Sequence, residues 1–133
     1  MPSKRNLFTG FISPLHFHLQ LADAAYKKYL DNKIFVHASA LYKANKRISR
    51  LILDHHSSIP DEIREECLQL LNHYDIWFTQ FALHKKKWKP SAEHRFVFER
   101  ADDQCSFPVA AEKKIINYYL QLQRELQSEM AES

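Results

Sequence analysis

The stretch from His84 to Arg100, HKKKWKPSAEHRFVFER, mixes positive charges with aromatic rings. It contains six Lys or Arg residues and two Glu residues, a local net charge of +4, whereas the whole chain carries only +3. Lys and Arg side chains neutralise phosphates, and aromatic rings stack on bases or anchor a protein partner. We therefore predict a surface for an acidic partner, protein or nucleic acid, formed by Lys85, Lys86, Lys87, Trp88, Lys89, Arg95, Phe96, Phe98 and Arg100.

The lysines of this stretch also have a structural explanation. Lys85, Lys86 and Lys87 fall where the third helix is expected to end, and cations at that position complement the negative end of the helix dipole. Runs of charge often form a solvated surface with no partner at all. The long irregular connection that follows and its rings therefore carry more of the prediction than the lysines do.

A second basic pattern lies in the segment predicted as the second helix. Its residues recur at spacings of three and four, which places them on one stripe opposite the apolar face. In an antiparallel bundle this stripe is partly displaced from the 84–100 stretch, so a continuous track requires the two to meet in a homodimer or along the flank of the bundle. The stripe comprises Lys43, Lys46, Arg47 and Arg50.

Eight histidines raise the question of a metal. His16 and His18 form an HxH pair, but residues two apart on a helix point in nearly opposite directions. The chain contains no HExxH motif and no paired ExxH motifs of the kind found in di-iron bundles. We predict no metal and no other cofactor.

An Arg and a His that converge in a pocket could support acid-base catalysis. The segment from Arg50 to His55, with four residues between the pair, resembles the Arg-x4-6-His element of the HEPN family of all-helical ribonucleases. In that family a dimer brings the pair together to cleave RNA. The resemblance covers six residues and departs from the usual polar residue after the Arg, since Leu51 stands there. It implies an alternative function, a dimeric ribonuclease or toxin-type enzyme that uses Arg50 and His55.

Large aromatic residues on the predicted third helix suggest another alternative. Tyr74, Trp77 and Phe81 repeat at helical spacing and occupy more volume than a core of Leu and Ala requires. They are consistent with an ordinary aromatic core, but they could also line a cavity for a small ligand. The third possible function is therefore a ligand-binding bundle.

The elements that must position these residues are helices. Gly10 is the only glycine, so a fold built from many tight turns is disfavoured, and Pro14, Pro60 and Pro108 stand where helices are expected to begin. Apolar periodicity predicts helices over about 14–31, 34–55, 60–86 and 108–130. The fold class is all-α, an up-down-up-down antiparallel four-helix bundle with an N-terminal arm (1–13) and a frayed tail (129–133).

The third connection, about 88–107, is long and irregular, and loops of this length in compact domains are often functional. Phe96 and Phe98 alternate with Arg95, Val97 and Glu99, the period of a short extended segment. We expect one side of this segment to pack over the end of the bundle while the other side faces solvent.

Composition and length favour a single domain in a reduced compartment. The 133 residues suffice for one core, and the two cysteines, Cys67 and Cys105, are too few for a disulfide scaffold. No segment has the ~20 apolar residues of a membrane span or the core of a signal peptide. The sequence thus predicts a cytoplasmic, non-catalytic helical module that binds an acidic partner through the 84–100 stretch.

Overall fold

The structure, a computed structural model, describes residues 3–97 and 107–132. Four long helices account for most of these residues, and no extended strand is present in the described ranges. The predicted all-α bundle is confirmed. In chain order the elements are α1 (Lys4–Leu7), a π-helical turn (Phe8–Ile12), α2 (Ser13–Asp31), α3 (Phe35–Asp54), a 3-10 turn (His56–Ser58), α4 (Asp61–Trp88) and α5 (Val109–Glu132).

The helices pack around one main core. Helix α2 contacts α3 and α5, and α4 contacts the same two helices. Helices α3 and α4 run in opposite directions, because Tyr42 meets Phe81 and Lys46, one turn later in α3, meets Phe78, one turn earlier in α4. The up-down order of all four helices stays a prediction. Fully buried side chains at the centre include Leu15, Ile48, Ile52, Ile63, Leu70 and Ile115.

The predicted N-terminal arm is wrong for residues 4–13. The helical path begins at Lys4, where the Ser3 hydroxyl accepts a hydrogen bond from the backbone N–H of Asn6. It continues through the π-helical turn into α2. Pro14 was expected to start a helix, because it has no N–H to donate. The wider π-helical turn brings the Ser13 N–H to the Phe8 carbonyl, and the chain enters Pro14 already helical.

The other helix ends lie close to their predicted positions. Helix α4 continues to Trp88, two residues past the expected end, and α5 is helical as far as Glu132, through most of the tail that was expected to fray. Lys89 closes α4 in the left-handed conformation, with φ 44°, and its N–H donates to the Lys85 carbonyl at 2.9 Å. Pro90 follows, where a proline commonly stands after a helix end.

Within the described ranges, every helix is too short or too polar to cross a membrane.

Candidate functional site

The basic aromatic stretch divides into a helical part and a connecting part. Lys85, Lys86 and Lys87 occupy the last turn of α4, and their side chains are exposed to solvent, as is that of Lys89. As expected for this position, the cations lie at the negative end of the helix dipole. Their exposure leaves them available to a partner.

The connecting part, residues 89–97, is bound to the turn between α2 and α3. Arg95 forms an isolated antiparallel bridge with Ile34, and the Phe96 N–H donates to the Lys33 carbonyl at 2.8 Å. The first two N–H groups of α3, of Phe35 and Val36, donate to the carbonyls of residues 94 and 92 at 2.8 and 2.9 Å. No side chain in residues 3–97 and 107–132 caps this helix start. The connection therefore supplies the hydrogen-bond acceptors that the beginning of α3 requires.

Phe96 belongs to the core, so its assignment to the partner surface is wrong. Its side chain is 0% exposed, and its ring lies 5.4 Å from that of Phe35 and 5.3 Å from that of Phe81. The buried hydroxyl of Tyr29 also donates to the Phe96 carbonyl at 2.7 Å. The ring and the backbone of Phe96 together hold the connection against the bundle. Arg95, its neighbour, is exposed, as expected for an extended segment with one packed side.

Trp88 is largely committed to contacts within the chain. Its ring stacks on His84, with centroids 4.5 Å apart and planes within 4°, and meets Phe96 edge to face at 5.3 Å. About a third of the residue remains exposed, at 36%. Trp88 can touch a partner, but one of its faces is already covered by His84. Phe98 and Arg100, the remaining residues of the predicted surface, lie outside the described residues.

The basic stripe of α3 is solvent-exposed along its length. Lys43, Lys46, Arg47 and Arg50 are all exposed, and Asp54 is the one acidic residue of this helix. The Lys46 ammonium lies 4.3 Å from the centroid of the Phe78 ring of α4, within the range of a cation–π contact. This contact fixes the position of the stripe relative to α4.

Helical geometry places Lys85 of α4 on the same flank of the bundle as the stripe of α3. Lys85 follows Phe78 by seven residues, which places it about 20° from the same line of α4 and ~10 Å further along the axis. Lys89 follows as the exposed residue that closes α4, whereas Lys87 lies half a turn away from this line. The two basic patches were predicted to join either in a homodimer or along the flank of the bundle. The flank requires only a single chain.

We call this surface the basic face. Between Leu68 and Trp88 helix α4 contributes one acidic residue, Asp75, so positive charge dominates the surface. The basic face comprises Lys43, Lys46, Arg47, Arg50, Lys85 and Lys89.

Arg50 and His55, the pair of the ribonuclease alternative, have different surroundings. Arg50 is exposed, whereas His55 is half-buried beside Phe11, with ring centroids 5.4 Å apart. The His55 Nδ1 lies 2.9 Å from the Leu51 carbonyl, at the end of α3. The ribonuclease function stays a prediction.

A cavity of about 480 Å³ opens between the helices, with walls from α2, α3, α4 and α5. Tyr74 and Trp77, two of the three predicted pocket residues, line it. Phe81 does not; its ring stacks on Tyr42 at 4.4 Å, in a separate aromatic cluster with Phe35 and Phe96. Burial raises the pKa of Tyr74, and the nearby charge of Glu112 adds to this rise.

The sequence did not single out the polar residues on the wall of this cavity. Among them are Asn45, His73 and Glu112, which come from three different helices. Burial lowers the pKa of His73, so its ring is held neutral. Burial raises the pKa of Glu112, and the charge of Asp23 raises it further. The available signal was that Asn45 interrupts the apolar stripe of its helix.

The structure contains no obvious metal or thiol chemistry in the described ranges. No group of three or more His, Cys, Asp or Glu side chains there could hold a metal ion. Cys67 is buried in the core, and burial, followed by the charge of Glu66, raises the pKa of its thiol to about 12. Such a thiol is unreactive at neutral pH. Cys105 lies outside the described residues.

Comparison of the chain with protein-family models, with curated proteins and with solved structures finds no match.

Proposed function

We propose that the protein is a non-catalytic binding module that engages an acidic macromolecule through the basic face, and that this partner is a nucleic acid. The observation that carries the proposal is the contact between Lys46 and Phe78, which joins the stripe of α3 to the lysine-bearing end of α4. One surface thus presents six cations instead of two separate groups.

The composition of the basic face favours nucleic acid over protein. The centre of a protein interface is poor in charge and rich in buried apolar anchors. Here the exposed positions are occupied by Lys and Arg, and the rings beneath them are packed: Phe78 is buried, and Phe96 is fully enclosed. A partner that presents charge at its own surface, as a phosphate backbone does, matches this arrangement better than a folded acidic protein.

The dimensions of the basic face suit several phosphates. Arg50 lies one turn beyond Lys46 in α3, and Lys85 lies about two turns of α4 in the other direction, so the cations extend over ~16 Å. One strand of a duplex places a phosphate every ~3.4 Å along the axis, so this length covers about five. We expect binding with little base preference, because Trp88 offers limited ring surface for stacking.

Charge reversal tests this function. In fluorescence anisotropy with labelled single-stranded RNA and a DNA duplex, the triple variant Lys43→Glu, Lys46→Glu, Arg50→Glu is expected to bind at least tenfold more weakly, since three phosphate contacts become repulsive. The matched control reverses three exposed cations elsewhere, Lys28, Lys113 and Arg124. Circular dichroism verifies that both variants keep their helices. Equal loss in both variants, or no loss in the first, contradicts the proposal.

The same titrations distinguish the alternatives. Polyglutamate serves as the acidic-protein probe, and affinity for it that equals or exceeds that for nucleic acid points to a protein partner instead. RNA recovered after incubation tests the ribonuclease alternative, because cleavage that disappears in Arg50→Ala and His55→Ala establishes that function. RNA that stays intact contradicts it.

A further inference from the structure

The cavity between the helices has the size of a small-molecule site. Its volume of about 480 Å³ falls within the ~300–1,000 Å³ typical of ligand pockets. Its described walls include residues of all four long helices, and none of the basic-face residues takes part. Any site here is therefore separate from the proposed nucleic-acid surface, and its test does not depend on that proposal.

Aromatic rings form much of the wall. The wall includes the rings of Tyr26 from α2, Tyr74 and Trp77 from α4, and Phe107 just before α5. Rings of this kind bind the apolar body of a ligand, and their faces attract a positive charge.

Two buried polar residues, His73 and Asn45, lie on the wall, and the His73 ring packs edge to face against Tyr74 and Phe107. His73 is 9% exposed, and its Nδ1 has no hydrogen-bond partner among the described residues. Asn45 is 6% exposed and also lines the cavity. Buried polar groups of native proteins are nearly always hydrogen-bonded, so the unpaired His73 Nδ1 beside a cavity points to a ligand with a polar group.

The charge on the wall is negative. Glu112 is half-buried and forms no ion pair within the described parts of the chain, and Asp23 stands close enough for its charge to raise the pKa of Glu112. Asp23 itself pairs with Lys27 at 3.1 Å. Lys33 is the basic residue of the described wall, and its side chain is exposed. A cation in the cavity would relieve the repulsion between the two carboxylates.

We propose that the cavity binds a small organic cation, a protonated amine with an apolar or aromatic body. Glu112 pairs with the ammonium group, Tyr74 and Trp77 contact the body, and Asn45 can hydrogen-bond a polar substituent. This chemistry follows from the combination of aromatic walls, buried polar groups and an uncompensated carboxylate in one cavity.

Fluorescence of Trp77 provides the test. The background variant Trp88→Phe leaves Trp77 as the one tryptophan of the chain. The probes are 2-phenylethylammonium, the neutral 2-phenylethanol and the anionic 3-phenylpropionate, each titrated to millimolar concentration at neutral pH. We expect the ammonium to bind, the alcohol to bind at least tenfold more weakly, and the anion not to bind, because a charge-assisted contact to Glu112 is worth about a factor of ten or more.

The variant Glu112→Gln assigns the charge. It keeps the shape of the side chain, so the fold is retained, and it should lower affinity for the ammonium about tenfold without changing affinity for the alcohol. The control Glu65→Gln changes an exposed carboxylate of α4 and should change neither. The proposal is overturned if no probe binds, if alcohol and ammonium bind equally, or if Glu112→Gln binds the ammonium as the unmodified chain does.

Discussion

Lys85 and Phe96 lie eleven residues apart in the same basic aromatic stretch, yet they occupy opposite environments. The Lys85 side chain is exposed at the end of α4, whereas Phe96 is fully enclosed by Phe35, Phe81 and Trp88. The rings hold the connection in place, and the cations lie on the surface. Charged and aromatic residues that alternate in a sequence can therefore have separate roles. The aromatic residues stabilise the fold, and the charged residues are available for binding.

The largest expected effect that tests this comparison is at Phe96. Phe96→Ala removes a fully buried ring and should lower the free energy of unfolding by about 3–5 kcal/mol, measured by urea denaturation. The triple variant Lys85→Gln, Lys86→Gln, Lys87→Gln should change the free energy of unfolding by less than about 0.5 kcal/mol per substitution, because all three side chains are exposed. If Phe96→Ala costs under about 1 kcal/mol, the connection is not part of the core.

A smaller effect is expected at Tyr29. Tyr29→Phe removes the hydroxyl that donates to the Phe96 carbonyl at 2.7 Å and leaves a buried acceptor without this donor. The expected loss is about 1–3 kcal/mol in the same denaturation experiment. Tyr26→Phe, which removes a hydroxyl of the same helix that lies on the cavity wall, is the matched control and should change stability little. Equal losses in the two variants would show that the bond to Phe96 has no special role.

The smallest effect is expected at Lys89, a residue that both closes α4 and belongs to the basic face. Its left-handed conformation, φ 44° and ψ 57°, is unfavourable for a side chain with a Cβ, so Lys89→Gly should raise stability by about 1 kcal/mol. Lys89→Ala removes the same charge but keeps the strain, and should show no gain. Both variants should weaken nucleic-acid binding to the same small extent. Lower stability for the glycine variant would contradict the assignment of strain.

The sequence predicts much of the helical architecture because its signals are local. Pro60 and Pro108, together with apolar periodicity, place α3, α4 and α5 within a few residues of their observed bounds. The error at the N-terminus is also local in origin. Pro14 is a valid signal for a helix start, but a π-helical turn accommodates it inside a longer helix, and nothing in the spacing distinguishes the two.

The candidate sites were harder to predict, since they depend on tertiary contacts. Alternation around Phe96 indicates an extended segment with one packed side, but burial depends on the turn at Lys33 and Ile34, some sixty residues earlier. The cavity likewise joins Asn45, His73 and Glu112 from three helices. The meeting of the basic stripe with Lys85 follows from the pairing of Lys46 with Phe78, which periodicity alone does not determine.

The most direct test of the basic face is the salt dependence of nucleic-acid binding, measured for single neutralising variants. For a single-stranded RNA, the slope of log K against log salt concentration should fall in magnitude by about 0.7 in Lys46→Gln and in Lys85→Gln, one phosphate contact each. Lys87→Gln removes an equal charge half a turn away on α4 and should leave the slope unchanged. Equal changes in Lys85→Gln and Lys87→Gln, or no change in Lys46→Gln, would contradict a single binding face formed by α3 and α4.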